Sequence, residues 1–427
     1  MEYVNFSKSV PIYGCYDVAV IGGGPSGVCA AIAAARKGAK VLLVESTGAL
    51  GGMATSAMVG PFMTDYDKNG DEKTVGGLFS EIVEELVKVG GGISSENTDA
   101  PGIHTSFITR YHRHVTPFDS FRLEMVLDKM VRDAGVKVLC YTRFSDCIVE
   151  NGKISTVILN ALEGLIAVKA EQFIDCTGIA AVAQCAGVPT YKGDEQSGIP
   201  QPGTLMFEVG GVKDEAYVSR PQKPVKAYRT PVPGRYKVNH FHVYDVDAAN
   251  SESMTEAHRE ARGQVMEAFA ILHDQTPGFE DIELVNVASV LGVRESRHIE
   301  GEYKITVEDV STGVKYDDAI AVYGFGMDVH GRKPEEKGNF KIETATRYYI
   351  PYRSLIPKNC KNLLVAGKTL SCESQAVGGM RCMPAAMAMG QAAGIASAMA
   401  AMQGVTVRDI DVATLQAHLR EQKAILD

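Results

Sequence analysis

The chain has 427 residues, a formal net charge of −9 and 45% hydrophobic residues. That length allows about two to three domains, or one large α/β domain with an insertion, and the acidic balance argues against nucleic acid or an anionic membrane surface as the main partner. The nine cysteines are odd in number and include no CxxC spacing, so we expect reduced thiols in a cytoplasmic protein rather than a disulfide framework.

The first predicted unit is a strand, a glycine loop, a helix, a second strand and an acid. Residues 17–21 are apolar, which predicts a buried strand, and residues 22–27 have the sequence GGGPSG. The Ala-rich stretch 28–37 predicts a helix packed on a sheet. Residues 39–44 predict a second buried strand, which Glu45 closes. This order of elements is typical of a dinucleotide site.

Each part of the unit has a physical reason. Gly22 permits a tight turn, Gly24 lets the backbone approach a pyrophosphate, and Gly27 lets helix and strand pack closely. The helix N-terminus offers unpaired N–H groups and a positive dipole end to phosphates. Glu45 can accept hydrogen bonds from both ribose hydroxyls, and its charge would repel a 2′-phosphate. We therefore predict an ADP-containing dinucleotide, the alternative being a glycine-rich structural turn.

Glycine pairs continue directly after this unit. Residues 48–55 (GALGGMAT) remove side chains where a flat or extended molecule could lie against the backbone. This favours a second cofactor contact over a plain loop. A helix is predicted over 76–89, and the polar stretch 93–118 is either a surface loop, which is favoured, or an excursion over a site. The histidines of this stretch are His104, His112 and His114.

The middle of the chain is rich in predicted strands. A helix over 119–134 comes first. Asn151-Gly152 is a hairpin signal, and residues 173–178 (FIDCTG) end the β run in a Thr-Gly turn. Strands are predicted over 136–141, 144–149, 154–159, 165–168 and 172–174.

Composition changes after about residue 200. Residues 220–237 are basic and proline-rich, which favours a surface connector over a lid above an anionic substrate. Residues 238–246 alternate as a strand does and would place His240 and His242 on one face; a packed face is favoured over a site, and no third ligand group clusters with them for a metal. A helix over 253–275, β structure over 282–293 and a strand over 319–323 follow.

The last third of the chain has predicted elements like those of the first unit. Residues 363–367 predict a buried strand ending at Gly. Residues 387–402 predict a helix of small residues that can pack very close to a neighbour or a cofactor. The tract 385–401 is Ala, Gly and Met rather than Leu or Ile, so we predict a buried helix and no membrane span. Residues 405–427 predict a polar tail helix.

Seven motifs in this order resemble one family. They are GGGPSG with Glu45, LGGMAT, FIDCTG, GVRESRHIEGEY, DVH, NLLVAGKTLS and MRCMPAAMAMGQAAG. The chain resembles the FAD-dependent oxidoreductases of the glutathione-reductase-like flavin fold. The resemblance implies an α/β protein with a Rossmann-like FAD-binding domain around a central parallel sheet and an inserted mixed α+β substrate domain.

The resemblance also implies a division of the chain. The FAD-binding domain would be discontinuous and assembled from 13–62, 119–200 and 346–404. Residues 63–118 would be the excursion near the site, 201–345 the substrate domain and 405–427 the C-terminal helix.

Carried over by position, the motifs imply the cofactor contacts. The glycine loop would hold the pyrophosphate, Glu45 the ribose, and the last helix would stabilise charge on the reduced flavin through its dipole. No His, Cys or Tyr occupies 51–55, so we expect non-covalent FAD. The implied cofactor-binding residues are Gly22, Gly24, Pro25, Ser26, Gly27, Glu45, Ser46, Gly51, Gly52, Met53, Ala54, Thr55, Phe144, Thr177, Gly178, Gly367, Gln391, Ala392 and Ala393, the last three taken to open the final helix.

Hydride transfer needs an acid or base near the flavin and a cation that binds or polarises the substrate. His330, tuned by Asp328, is the leading base, with a structural histidine as the alternative. Arg381 is the leading substrate anchor, with a salt bridge that fixes the loop as the alternative. Arg294 and Arg297 could clamp a carboxylate, but the nearby glutamates favour a structural ion network.

We expect a flavoenzyme that acts on a small polar organic molecule, with a separate electron donor or acceptor and no nucleic-acid partner. A homo-oligomer is compatible with this expectation. One alternative is a flavin monooxygenase, which the absence of Trp disfavours. The other is a non-catalytic flavin- or NAD-binding scaffold or an electron-relay subunit. No second GxGxxG unit with strand–loop–helix context is present for NAD(P)H.

Overall fold

The computed structural model describes residues 2–97, 113–214, 217, 224–336 and 339–427. Its helices are α1 (Pro25–Arg36), α2 (Leu78–Lys88), α3 (Ser120–Asp133), α4 (Ala181–Cys185), α5 (Ser251–Gln275), α6 (Val307–Thr312), α7 (Val377–Met380), α8 (Met383–Gln403) and α9 (Val412–Glu421). Its first strands are β1 (Ile12–Ile21), β2 (Val41–Val44), β3 (Lys137–Leu139), β4 (Arg143–Glu150), β5 (Lys153–Ala161), β6 (Gly164–Asp175), β7 (Thr190–Lys192), β8 (Gly203–Thr204), β9 (Phe207–Gly210) and β10 (Ala227–Arg229). The others are β11 (Tyr236–Val238), β12 (Glu283–Val287), β13 (Gly292–Val293), β14 (Arg297–Ile299), β15 (Ala319–Tyr323), β16 (Met327–His330), β17 (Asn339–Ile342), β18 (Tyr348–Pro351) and β19 (Leu363–Val365).

The central sheet has seven strands, most of them parallel. β3, β2, β1 and β6 lie side by side in parallel, and β19 joins the second half of β6, also in parallel. The first half of β6 pairs instead with antiparallel β5, and β5 pairs with β4. The hairpin between β4 and β5 turns at Asn151 and Gly152, which have φ of 55° and 75°, as a type I′ turn requires. The predicted α/β class with a central parallel sheet is confirmed.

Two helices cover one face of this sheet in very close contact. A Cβ atom on Gly390 would lie 2.1 Å from the Ser26 carbonyl oxygen, and one on Gly394 would lie 2.2 Å from that of Ala30. These distances leave no room for any side chain, so α8 meets α1 backbone to backbone. The close contact with α1 thus explains why α8 has small residues at these positions.

α8 is also long and apolar enough to pass a length and hydropathy test for a membrane span, but 83% of the tested window is buried inside the protein. One such helix is weak evidence for a span, because core helices pass the same test. All nine cysteines are free. No group of three or more His, Cys, Asp or Glu side chains that could hold a metal ion occurs among the described residues.

The described residues form three hydrophobic cores. The first surrounds α1 and α8, and the third includes residues of the central strands β1, β2 and β6. The second contains β9, β11 and one face of α5, and the four-stranded antiparallel sheet β10–β11–β9–β12 forms its wall. Within the predicted insertion 201–345, the first part packs around this second core. The last part, from Ile305 to Val329, packs in the first core with α1 and α8. The domain bounds themselves stay a prediction.

A strand and the tail helix, β11 and α9, end earlier than the sequence predicts. β11 ends at Val238 rather than continuing to residue 246. There the Asn239 N–H bonds to the Lys226 carbonyl, and Val243 then bridges to Gly203, so the chain leaves the sheet. The tail helix is shorter than predicted and spans only Val412–Glu421. Of the excursion 63–118, residues 98–112, with His104 and His112, lie outside the described residues.

Candidate functional site

One cavity of about 1420 Å³ is lined by residues of all three cores. The glycine loop after β1 lines one part of it, together with the chain that follows β2. The ends of β13 and β16 line another part, together with β10 and the start of α8. The carboxyl ends of the parallel strands therefore open onto this cavity, as expected for a ligand site in an α/β sheet.

The glycine loop has the geometry that its sequence predicts. Gly22 has a φ of 107°, and a Cβ there would lie 2.4 Å from the Cys176 carbonyl oxygen. A Cβ on Gly27 would lie 1.8 Å from the Gly22 carbonyl oxygen, which locks helix against strand. A Cβ on Gly24 would meet nothing within 4 Å. Gly24 thus presents bare backbone to the cavity, where an extended polyanion could lie.

The first turn of α1 faces the same space. No side chain caps it, and Pro25 stands at its start, where the missing N–H costs nothing. The remaining N–H groups and the helix dipole favour an anion at this end. Ser26 holds the turn in place because its hydroxyl donates to the Ala366 carbonyl at 3.2 Å.

Glu45 is buried and held by hydrogen bonds on both carboxylate oxygens. Its Oε2 accepts from the Gly23 N–H at 2.8 Å. Its Oε1 accepts from the Thr47 N–H at 2.7 Å, and from the hydroxyls of Ser46 and Thr47 at 3.1 and 2.9 Å. Glu45 and Ser46 both line the cavity. The carboxylate therefore has a fixed orientation beside the glycine loop.

The loop 51–55 divides into a lining part and a supporting part. Gly52 and Met53 line the cavity. Gly51, Ala54 and Thr55 lie behind them: the Gly51 N–H donates to the Gly23 carbonyl at 2.8 Å, and the Thr55 hydroxyl to the Leu50 carbonyl at 2.6 Å. The first bond joins this loop to the glycine loop and the second stabilises the loop itself, so the two segments form one surface.

Asp175, which sequence reasoning left without a role, shapes the Thr-Gly turn. It is fully buried and accepts from the Thr177 N–H and hydroxyl at 3.0 and 2.7 Å. It also accepts from the N–H groups of Val182 and Ala183 at 2.9 and 3.0 Å, at the start of α4. Burial outweighs these bonds and raises the pKa of Asp175. The position of Asp175 in the motif FIDCTG, just before the turn, was the only sequence feature that could have indicated this role.

Some of the other predicted cofactor residues line the cavity and others do not. Thr177, Gly178, Phe144 and Gly367 line the cavity. Gln391, Ala392 and Ala393 do not open the last helix, and that prediction is wrong: α8 begins at Met383, two turns earlier. Gln391 instead accepts from the Leu78 N–H at 3.0 Å on α2. The residues of α8 that line the cavity are Met383 and Ala386.

The other part of the cavity holds a cluster of charged groups around Asp328. Its Oδ2 lies 3.2 Å from His330 Nε2 and 2.9 Å from Arg381 Nη2, and Arg381 also donates to the Asp328 carbonyl. Burial opposes ionisation, but the His330 hydrogen bond and the charges of Arg381 and Arg294 hold the pKa of Asp328 well below its ordinary value. A carboxylate only accepts hydrogen bonds, so His330 carries its proton on Nε2 and keeps Nδ1 as an acceptor.

The histidines here are neutral at pH 7. Burial, together with the charge of Arg294, lowers the pKa of His330 to about 4. Burial and the same arginine lower the pKa of His242 to about 3. The His242 and His330 ring centroids lie 4.9 Å apart. The prediction that His242 belongs to a packed face rather than a site missed this proximity.

Arg294 lines the cavity and is 9% exposed. Its Nη1 donates to the Pro202 carbonyl and the Thr204 hydroxyl, both at 2.8 Å. Among the described residues, neither Arg294 nor Arg297 pairs with the glutamates of the predicted ion network. Glu295 pairs with Arg332 and His298 instead, and the other two glutamates pair with Lys358 and Arg408. Arg297 does not line the cavity, so the two arginines form no clamp.

Sequence reasoning named none of three further basic or phenolic groups that line the cavity. Lys226 and Tyr228 come from β10 and the residue before it, inside the segment interpreted as a connector. Lys368 follows Gly367 and donates to the Val293 carbonyl at 2.7 Å. Burial and the charge of Arg381 lower its pKa to about 8. The only signals were the basic character of 220–237 and the motif NLLVAGKTLS.

The site therefore has two parts. The part that we call the cradle contains Gly24, the first turn of α1 and Glu45, and the part that we call the charged pocket contains the groups around Asp328. The bare backbone at Gly24, the uncapped turn of α1 and the fixed Glu45 fit the pyrophosphate and ribose of a dinucleotide such as FAD. The cavity is large enough for such a molecule beside a small second ligand. The groups around Asp328 can bind an anion and accept a proton.

Comparison with known proteins gives a family. The family model described as FAD dependent oxidoreductase matches residues 17–419. Thiamine thiazole synthase of Aeropyrum pernix is 30% identical over 177 residues, which cover 39% of this chain and 56% of that protein. Thiamine thiazole synthase of Methanococcus aeolicus is 30% identical over 196 residues, covering 44% and 63%. The chain thus spans about three fifths of the length of these two relatives.

Other comparisons cover a short segment or are low in sequence identity. Dihydrolipoyl dehydrogenase of Trypanosoma brucei brucei is 55% identical over 47 residues, 11% of this chain and 10% of that protein. Among solved structures, BexE superimposes with a TM-score of 0.50 at 14% identity, covering 96% of this chain and 66% of that one. The flavin-dependent brominase Bmp2 superimposes with a TM-score of 0.48 at 13% identity, covering 96% and 84%. At these identities, the structural likeness to BexE shows the fold alone.

Proposed function

The chain belongs to the FAD-dependent oxidoreductase family, and from this premise we propose that it transfers a hydride between FAD and a small polar organic substrate bound beside His330. The observation that carries the proposal is the single cavity that joins the glycine loop to the Asp328 cluster. It lets a dinucleotide and a small molecule lie side by side in one cavity.

The residues that would hold FAD are those of the cradle. Gly24, the first turn of α1 and Glu45 would take the ADP half, and the Gly52–Met53 segment and Gly367 would lie along the rest. When bound, FAD supplies the two-electron donor or acceptor at its N5 atom. The binding is non-covalent in this proposal.

His330 is the proposed proton acceptor and donor. A hydride that leaves a C–H bond next to a hydroxyl or amine requires a proton to leave as well. His330 is neutral at pH 7, and the hydrogen bond from its Nε2 to Asp328 leaves Nδ1 free to accept. In the reverse direction the same atom, once protonated, returns the proton.

Arg381 and Asp328 position this histidine. Their ion pair fixes the Asp328 carboxylate, and the carboxylate fixes the tautomer and the ring of His330. The apolar side chains Val59, Met63, Leu291 and Phe325 also line the cavity. They reduce the water around the reacting groups, which strengthens each electrostatic contact.

The test is a screen under nitrogen with the purified protein. We expect yellow protein with flavin absorption bands, non-covalent FAD that acid releases, and bleaching of the bands by at least one member of a panel of sugars, hydroxy acids, amines and enoates. Flavin that no compound bleaches or re-oxidises would favour a scaffold or electron-relay role. Hydroxylated product formed only with O2 and a nicotinamide donor would favour a monooxygenase.

A further inference from the structure

We propose that the substrate carries a carboxylate group, and that the Nε and Nη2 atoms of Arg294 bind it. The inference rests on the proposed function, because it names the class of molecule that lies beside His330. It follows from the hydrogen bonds, ion pairs and position of one guanidinium group.

The hydrogen bonds of Arg294 leave one edge of the guanidinium available. A guanidinium has five N–H donors, and the two on Nη1 are used by the Pro202 carbonyl and the Thr204 hydroxyl. Within the described chain no protein acceptor bonds to Nε or Nη2, and neither is among the fully buried atoms that lack a partner. The Nε–Nη2 edge therefore offers two parallel donors to the cavity.

The ion pairs leave the charge of Arg294 without a contacting carboxylate. Asp328 pairs with Arg381 and His330, and Glu295 pairs with Arg332. In the part of the chain that the structure describes, no salt bridge includes Arg294. A guanidinium that is nearly buried and touches only neutral oxygens is costly. The charge of Asp328 offsets part of this cost without contacting Arg294, and an anionic ligand in contact with the guanidinium would offset more of it.

A carboxylate or a phosphate group fits this edge better than a spherical anion, because two of its oxygens match the spacing of the parallel donors. The lining of the cavity separates these two anions. Val59, Leu291 and Met206 line the same cavity, which suits a molecule with one charged end and a less polar body. Arg294 is close enough to His330 to lower the pKa of that histidine, so an anchored acid would lie within reach of the proton acceptor.

The test uses the oxidised FAD-loaded protein and measures binding rather than turnover. Succinate, lactate and benzoate are titrated against their amides, and against inorganic phosphate, by flavin difference spectra and by the shift in Tm. We expect the acids to bind and the amides to bind at least about tenfold more weakly, as expected for loss of a charged hydrogen bond. Phosphate should also bind more weakly than the acids, because it has no apolar body to contact Val59 and Leu291. Equal binding of an acid and its amide, or of phosphate, overturns the inference.

Three variants assign the effect to Arg294. Arg294→Met and Arg294→Lys should both weaken binding of the acids by about tenfold or more, because lysine keeps the charge but not the fork. Arg353→Met, which removes an arginine paired with Asp318 away from the cavity, should leave it unchanged. FAD content and circular dichroism identify any variant that misfolds, and Arg294→Lys then decides the outcome alone.

The outcomes also show whether the negative charge beside Arg294 belongs to the substrate or to the reduced cofactor. If Arg294→Lys binds acids as the wild type does, and Arg294→Met changes only the flavin reduction potential, the charge serves the reduced cofactor and the inference is overturned. Bleaching by neutral substrates in Arg294→Met also overturns it and leaves the proposed function standing. Acid binding that depends on Arg294, with no bleaching by any compound, supports the anion site and contradicts the hydride transfer.

Discussion

Arg381 donates two hydrogen bonds from Nη2 to Asp328, one to the backbone carbonyl and one to Oδ2, each 2.9 Å long. The two residues are far apart in the chain, and this ion pair joins the end of α7 to β16. The same Oδ2 lies 3.2 Å from His330 Nε2. One carboxylate thus sets the position of the arginine and the histidine together.

Asp328→Asn should therefore slow flavin reduction without releasing FAD. The change leaves an acceptor oxygen but removes the negative charge that balances Arg381 and strengthens the hydrogen bond from His330. If His330 no longer works as the base, the loss of rate is about 100-fold or more. Rapid mixing under nitrogen with the best substrate of the screen measures the rate. Asp318→Asn, which breaks an Arg–Asp pair outside the cavity, is the control and should react at the wild-type rate. A wild-type rate in Asp328→Asn would refute the positioning role.

The pH dependence should have its acidic limb near the pKa of His330, which is about 4. Removing a neighbouring positive charge raises that pKa, because the charge of Arg294 is one cause of its lowering. Arg294→Met should therefore move the acidic limb to higher pH. The pH profile of the flavin reduction rate is the measurement, and a limb that stays in place in the variant contradicts the assignment.

The same pKa predicts how stability changes with pH. Between the ordinary value of 6.5 and the folded value of about 4, the unfolded chain binds a proton at His330 that the folded chain does not. Binding of this proton stabilises the unfolded state relative to the folded state. The free energy of unfolding therefore falls as the pH falls through this window. His330→Gln should lose part of this dependence in urea titrations at pH 7 and pH 5. An unchanged difference between the two pH values counts against a depressed pKa.

Gly394→Ala should destabilise the fold by about 1–3 kcal/mol, as overpacking does. Its Cβ would lie 2.2 Å from the Ala30 carbonyl oxygen, so α8 must move away from α1. Gly263→Ala is a matched control on the exposed face of α5, where a Cβ meets nothing within 4 Å. That change should stabilise by up to about 1 kcal/mol. Urea unfolding of both variants decides, and equal effects would disprove the backbone contact.

Glu45→Gln should weaken FAD binding by about tenfold to a hundredfold. The carboxylate accepts from the N–H groups of Gly23 and Thr47 on its two oxygens. An amide must turn its NH2 toward one of these donors, which breaks that bond and disturbs the glycine loop. Flavin fluorescence on titration of the apoprotein gives the Kd. Glu81→Gln, which alters an ion pair between α2 and α1 at the surface, should bind FAD as the wild type does.

The cradle was predictable from sequence because its signals are local. Gly22 and Gly27 carry conformational and packing requirements that no other residue meets, and Glu45 stands at a fixed place after the second strand. The Asn151-Gly152 turn was predictable for the same reason. Each of these features depends on residues that are close in sequence, or on a strand–loop–helix–strand unit whose geometry is the same in many proteins.

The charged pocket was not predictable, because its contacts cross long stretches of sequence. Arg294 and Glu295 are adjacent, and adjacency suggested one ion network. Consecutive side chains at a strand end point to opposite faces, so Arg294 turns to the cavity and Glu295 turns to Arg332. The alternation of 238–246 suggested a strand, yet the chain leaves the sheet after Val238. Only the fold shows that His242 then meets His330.

The most direct test of the central claim compares three forms of the FAD-loaded protein under nitrogen. The wild type, His330→Gln and His273→Gln, a control at an exposed histidine of α5, are mixed with a substrate that bleaches the wild type. We expect all three to bind FAD, His273→Gln to bleach at the wild-type rate, and His330→Gln to bleach about 100-fold more slowly or not at all. Bleaching of His330→Gln at the wild-type rate, or a protein that cannot be loaded with FAD, would contradict the claim.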